Sequence, residues 1–92
     1  MEFSIGQIVI SKAGRDKGKA FIITELEDEY VYLVDGKLRC LDNPKRKKIK
    51  HLQPTHTVNE HIKTAVIGRV YIKDADFRSA LDAFCNKNSC TS

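Results

Sequence analysis

The stretch Ser11-Lys12-Ala13-Gly14-Arg15-Asp16-Lys17-Gly18-Lys19 decides the fold. Short apolar runs flank it, Ile8-Val9-Ile10 before and Phe21-Ile22-Ile23 after. Both are rich in β-branched residues, so the whole reads as strand, tight connection, strand. Gly14 and Gly18 let that connection take positive φ, which a side chain resists. Lys12, Arg15, Lys17 and Lys19 crowd the bend against one acid, Asp16. Such a tip suits a phosphate backbone, and it equally suits a solvated turn kept soluble by lysine.

Working outward, Gly6 to Ser11 is the first expected strand, with Ile8 and Ile10 on one face. Lys19 to Glu25 is the second, followed by an acidic turn over residues 25–29. Tyr30-Val31-Tyr32-Leu33-Val34 has the aromatic and β-branched content of a pleated surface. Asp35-Gly36 is the strongest short hairpin signal, and Lys37-Leu38-Arg39-Cys40-Leu41 alternates as a fourth strand. That alternation puts Leu38 and Cys40 on the core side, making Cys40 a small packing residue. Pro44 ends the run. A short fifth strand is expected from near Lys48, within Lys45-Arg46-Lys47-Lys48-Ile49-Lys50-His51-Leu52. Basic runs of this length also serve as nuclear-localisation signals; inside a strand-forming region a binding surface is the better reading. Five closely spaced strands predict a small barrel. Successive meander turns alternate ends, so Pro44 to Lys47 is expected opposite the 12–19 turn. A fifth strand beside the first would bring Lys50 and His51 back to that turn.

After Pro54 the period changes. Thr57-Val58-Asn59-Glu60 fits a capping box, and Val58, Ile62, Ala65 and Val66 then share a helical face. Gly68 is a stop, and residues 69–72 fit either an extended link or continuing helix. Asp74 reads as the cap of a second helix whose Phe77, Ala80, Leu81 and Phe84 form a packing stripe. The expected organisation is mainly β, with a barrel over 1–56 and a helical extension over 57–92 that packs on it. Residues 86–92 are expected to fray.

Charge is segregated. The chain has 92 residues and a net charge of +4. Residues 12–19 and 37–50 hold eleven Lys/Arg against two acids, so the remainder is net acidic. A local cationic excess drives polyanion binding through counterion release. The first residues lack a signal peptide's pattern, and no apolar run approaches membrane-spanning length. Three cysteines without zinc-ligand spacing fit reduced thiols in a cytoplasmic protein, ahead of a Cys85–Cys90 bridge.

Chemistry is sparse. Gly14-x-x-x-Gly18-Lys19-Ala20 is one residue short of a nucleotide loop and has alanine where magnesium needs a hydroxyl. His51, His56 and His61 are spaced five apart, which matches no metal-site pattern. No catalytic set, metal site or cofactor is expected, and the chain reads as a non-enzyme.

Gly6 through Leu52 resembles a KOW domain, the small SH3-like barrel of large-subunit ribosomal proteins and transcription elongation factors. The Gly14-Arg15-Asp16-Lys17-Gly18-Lys19 turn is similar to the KOW turn, with Gly18 at its characteristic glycine. Asp35-Gly36, Arg39 and the run from Pro44 to Leu52 look like the archaeal and eukaryotic ribosomal branch and its small bacterial relatives. The resemblance covers about half the chain. It implies an SH3-like barrel, ribosomal or other structured RNA as partner, and association with the ribosome in translation.

The expected RNA-binding residues are Lys12, Gly14, Arg15, Lys17, Gly18, Lys19, Arg39, Lys45, Arg46, Lys47, Lys48, Lys50 and His51. Backbone N–H groups of Gly14 and Gly18 would assist, and arginines would fix register through forked phosphate contacts. Few aromatics interrupt these cations in sequence, so base stacking is not expected. The rival reading is a protein-interaction module of the transcription-elongation type, with the C-terminal helices docking a protein partner.

Overall fold

The computed structural model describes residues 3–87. Five strands form one antiparallel sheet: β1 (Gln7–Ser11), β2 (Ala20–Glu27), β3 (Tyr30–Val34), β4 (Lys45–Lys48) and β5 (Leu52–Val58). Their order is β4-β3-β2-β1-β5. A 3-10 turn, Ile49–His51, links the two outer strands. The Ile49 N–H donates to the Glu29 carbonyl at 2.9 Å, and the Lys12 N–H donates to His51 at 2.8 Å. These bonds tie the turn to opposite ends of the β1–β3 meander and curl the sheet into a small barrel-like domain. Two helices follow, α1 (Glu60–Ile67) and α2 (Asp74–Lys87). The mainly β fold with a helical tail is as expected.

Both faces of the sheet are buried because the central strands are apolar on both sides. Val9, Phe21, Ile23, Val31, Leu33 and Leu52 fill the barrel interior. Ile8, Ile22 and Val34 point the other way and meet Ile62 of α1 and Phe77 and Leu81 of α2. The helical stripe of Phe77, Ala80, Leu81 and Phe84 thus packs against both the sheet and Ile62 of α1. Helices this short gain most of their stability from such burial.

The fourth expected strand is absent. Residues 35–44 form an irregular loop. The Asp35 carboxylate accepts from the N–H groups of Lys37 (2.8 Å) and Arg39 (2.9 Å). The N–H groups of Asp35 and Gly36 both donate back to the Arg39 carbonyl. An aspartate side chain competing for these amides replaces the strand ladder with a self-closed loop. Gly36 has φ +80°, and a Cβ there would strike the Asp74 carbonyl and Arg78. Leu38 is 76% exposed and Cys40 only half-buried, so neither is the core residue that alternation implied. The strand opposite β3 is instead Lys45–Lys48, paired from Leu33↔Lys45 to Tyr30↔Lys48.

Smaller boundaries also move. β2 continues to Glu27, past a register shift between Ile23 and Glu25, so the acidic turn shrinks to Asp28-Glu29. The first helix is capped by Asn59, whose side chain accepts from the Ile62 N–H, while Thr57 belongs to β5. Asn outranks Thr as a cap. Gly68 is the C-cap, and the left-handed position after it is Arg69, φ 57°. Residues 70–73 then form an irregular link rather than a continuing helix. The Asp74 carboxylate is engaged by the Leu41 N–H at 2.8 Å, and Asp76 accepts from the Lys73 N–H instead. Cys90, with any bridge to Cys85, and the tail beyond Lys87 lie outside the described residues.

Candidate nucleic-acid interface

The 12–19 turn is built by its own backbone. The Ser11 N–H donates to the Lys19 carbonyl, Gly18 donates to Ser11, and Lys19 donates to Asp16, all within 2.9 Å. Gly14 and Gly18 have φ +78° and +88°, as the sequence predicts. Because the Gly18 amide is used inside the turn, this glycine shapes the bend and its N–H is not offered outward. Lys12, Arg15, Lys17 and Lys19 are all exposed.

The basic run over 45–50 divides into two faces. Lys47 is paired with Val31 and Lys45 with Leu33, so both lysines share the interior side of the barrel wall. Lys45 forms an ion pair of 2.5 Å with Asp16. Lys47 Nζ reaches the buried Ser11 Oγ at 2.6 Å and the Ala13 carbonyl at 3.1 Å. The hydrogen bond from Lys45 holds the Asp16 carboxyl below its ordinary value. Burial, with Lys45 beside it, pulls the Lys47 ammonium down. These two cations, expected from the sequence among the RNA-binding residues, are instead engaged with Asp16, Ser11 and Ala13 and brace the turn from below.

Arg46 and Lys48 share the outer face with Tyr32 and Tyr30. The Arg46 guanidinium lies 3.7 Å from the Tyr30 ring centroid, and its Nε is 3.0 Å from the Glu27 carboxylate. That hydrogen bond raises the Arg46 pKa. Lys48 Nζ is 5.7 Å from the same ring. Tyr30 and Tyr32 thus interleave with the cations across the ladder, an arrangement invisible to a search along the chain. Arg46 is also beside the acidic β2–β3 tip, its charge already matched.

Because residues 35–44 return to the end where β3 finishes, Lys45 starts at the same end as the 12–19 turn. This reverses the expected placement. A groove of about 310 Å³ opens there, lined by Arg15, Lys19, Arg39 and Lys45 together with Asp16, Asp35, Phe21 and Leu38. Half-buried His51 adjoins Lys12 through the Lys12–His51 backbone bond, and exposed Lys50 precedes it in the chain. One barrel end thereby collects Lys12, Arg15, Lys17, Lys19, Arg39, Lys50 and His51. Arg46 and Lys48 are not part of it. Among the described residues no three His, Cys, Asp or Glu gather into a metal-ligating group, and no helix is long and apolar enough to cross a membrane.

No family model matches the chain. The chain is similar to a ribosomal protein. It is 43% identical over 53 residues to the large ribosomal subunit protein eL14 of Desulfurococcus amylolyticus, covering 55% of this chain. The chain spans about half the length of that relative, 54%.

Proposed function

We infer that this chain is a non-catalytic RNA-binding protein of the cytoplasm that associates with the ribosome through structured RNA, most simply ribosomal RNA. The observation that carries the reading is the convergence of the 12–19 turn, Arg39 and the Lys50-His51 corner on one barrel end. The similarity to a large-subunit ribosomal protein supports it, and the turn fits the KOW pattern. Phosphates are gripped by Lys12, Arg15, Lys17, Lys19, Arg39 and Lys50, with His51 beside them. Gly14 and Gly18 set the shape of the turn. Lys45 and Lys47 act as positioning residues, and Arg46 and Lys48 form a secondary face. The binding unit is the barrel over residues 1–56, whose outer face is covered by α1 and α2.

Phosphate contacts position the protein without reading sequence, so shape and charge dominate recognition. Co-sedimentation with ribosomal subunits at two salt concentrations tests the reading. Binding at low salt that falls steeply at high salt supports it; binding indifferent to salt sinks it.

One observation favours a second reading, a protein-interaction module of the elongation-factor kind. Ile67, Val70 and Tyr71 are exposed at the α1–α2 corner, Tyr71 by 84%. An apolar partner seated there would bind with little salt dependence.

A further inference from the structure

The loop that replaced the fourth strand holds its leucine out on purpose. Asp35 accepts two of its amides, and Arg78 Nη1 donates to the Gly36 carbonyl at 2.6 Å from α2. A loop fastened from both sides presents Leu38 at 76% exposure between Lys37 and Arg39. A leucine so placed has no share in the core, and these hydrogen bonds hold the backbone on either side of it.

Leu38, Lys19 and Asp35 line two adjoining hollows. One is the cationic groove already described. The other is larger, about 460 Å³, and lies between the 12–19 turn and α2. Its walls include Ile10, Ala20, Leu81 and Phe84, with Lys19 and Lys37 at the rim. An apolar cavity sharing its edge with a phosphate groove matches the two halves of a nucleotide. Flat bases are taken by apolar and aromatic walls, and charge belongs with the backbone. Asp82, also at this hollow, is a carboxylate able to accept from an exocyclic amino group.

Resting on the RNA-binding reading above, we propose that the hollow beneath Leu38 receives one unpaired base of the bound RNA, with the flanking phosphates in the Arg15–Lys19–Arg39 groove. The module then discriminates structured RNA carrying a bulged or looped-out nucleotide from a fully paired helix. Leu38 is the residue that sets the preference, because it is the apolar side chain among the three on the shared edge.

The test uses the full chain and two short RNA hairpins of equal length, one fully paired and one with a single bulged 2-aminopurine. The bulged hairpin is expected to bind roughly tenfold more tightly, in line with one buried base. Its 2-aminopurine fluorescence should change on binding. Leu38→Ser, at an exposed position and checked by thermal melting, should erase the fluorescence change and bring the bulged hairpin to the same affinity as the paired one. Equal affinity for both hairpins, with steep salt dependence, overturns this proposal and leaves the RNA-binding reading standing. If neither hairpin binds and ribosomal subunits do not either, both fall. A preference that survives Leu38→Ser also overturns it, and would be expected if the hollow takes a protein side chain instead.

Discussion

The Lys47 ammonium stands 2.6 Å from the buried Ser11 hydroxyl, joining the edge strand β4 to the residue where the glycine turn begins. With the Lys45–Asp16 pair beside it, this contact makes two lysines of the basic run into struts. Cations near the candidate nucleic-acid site thus divide into exposed ones and ones that hold the turn in place.

Lys47→Met separates the two roles. The methionine keeps most of the apolar stem, one atom shorter, and loses the charge-assisted bonds to Ser11 and Ala13, at about 1 kcal/mol for a half-buried group. The melting temperature should fall. RNA affinity should drop as the turn loosens, but the slope of log affinity against log salt should stay as in the parent chain. A shallower slope would mean that Lys47 itself neutralises a phosphate.

Acid should loosen the same turn. The folded Asp16 carboxyl titrates below its ordinary value of 3.8 because Lys45 is bonded to it. Its stabilisation is therefore fully present above that ordinary value and is lost as pH falls through the lower folded value. Asp16→Asn should be less stable than the parent near neutral pH, and in urea denaturation the gap should narrow as pH falls below 3.8 and through the lower folded value. A stability gap that persists undiminished into acid would remove the ion pair as its cause.

Two glycines with similar backbone angles should respond very differently to alanine. Gly18 has φ +88° and open space around its missing Cβ, so Gly18→Ala pays only backbone strain, about 1 kcal/mol. Gly36→Ala adds a collision with the Asp74 carbonyl and the Arg78 side chain, at roughly 3 kcal/mol. Calorimetry on the two variants gives the order directly. Equal losses would contradict the packing of the 35–44 loop against α2.

Much of this architecture is legible in the sequence because the strands that matter bury both faces. Ile8-Val9-Ile10, Phe21-Ile22-Ile23 and Val31 to Val34 declare themselves through β-branched runs, and Phe77 to Leu81 through helical spacing. The failures have local causes. Asp35-Gly36 looks like a two-residue hairpin, yet the Asp35 side chain captures the Lys37 and Arg39 amides and closes a larger loop. The alternation of Lys37 to Leu41 is then accidental. The basic run reads as uniform along the chain, while the two-residue period of β4 sends Lys45 and Lys47 inward and Arg46 and Lys48 outward. The meander rule misplaced Pro44 to Lys47 because it assumed the strand that Asp35 prevents. Tyr30 and Tyr32 meet Arg46 and Lys48 only across the ladder.

The helix corner offers a stabilising change. Arg69 sits at φ 57° immediately after the Gly68 cap, and the Val70 N–H closes back on the Ala65 carbonyl at 2.8 Å. This is the position where glycine is favoured at a helix end. Arg69→Gly should raise stability by about 0.5–1 kcal/mol, seen as a higher urea midpoint with an unchanged slope. A lower midpoint would show that the arginine side chain contributes more than its backbone costs.

The most direct test of the central claim removes charge where the turn is exposed. Lys12, Lys17 and Lys19, all changed to glutamine, should leave the melting temperature nearly unchanged. RNA or ribosomal-subunit affinity should fall, with the log–log salt slope flattened by roughly 2–3. An unchanged affinity and slope in a folded triple variant would mean that the glycine turn does not grip RNA.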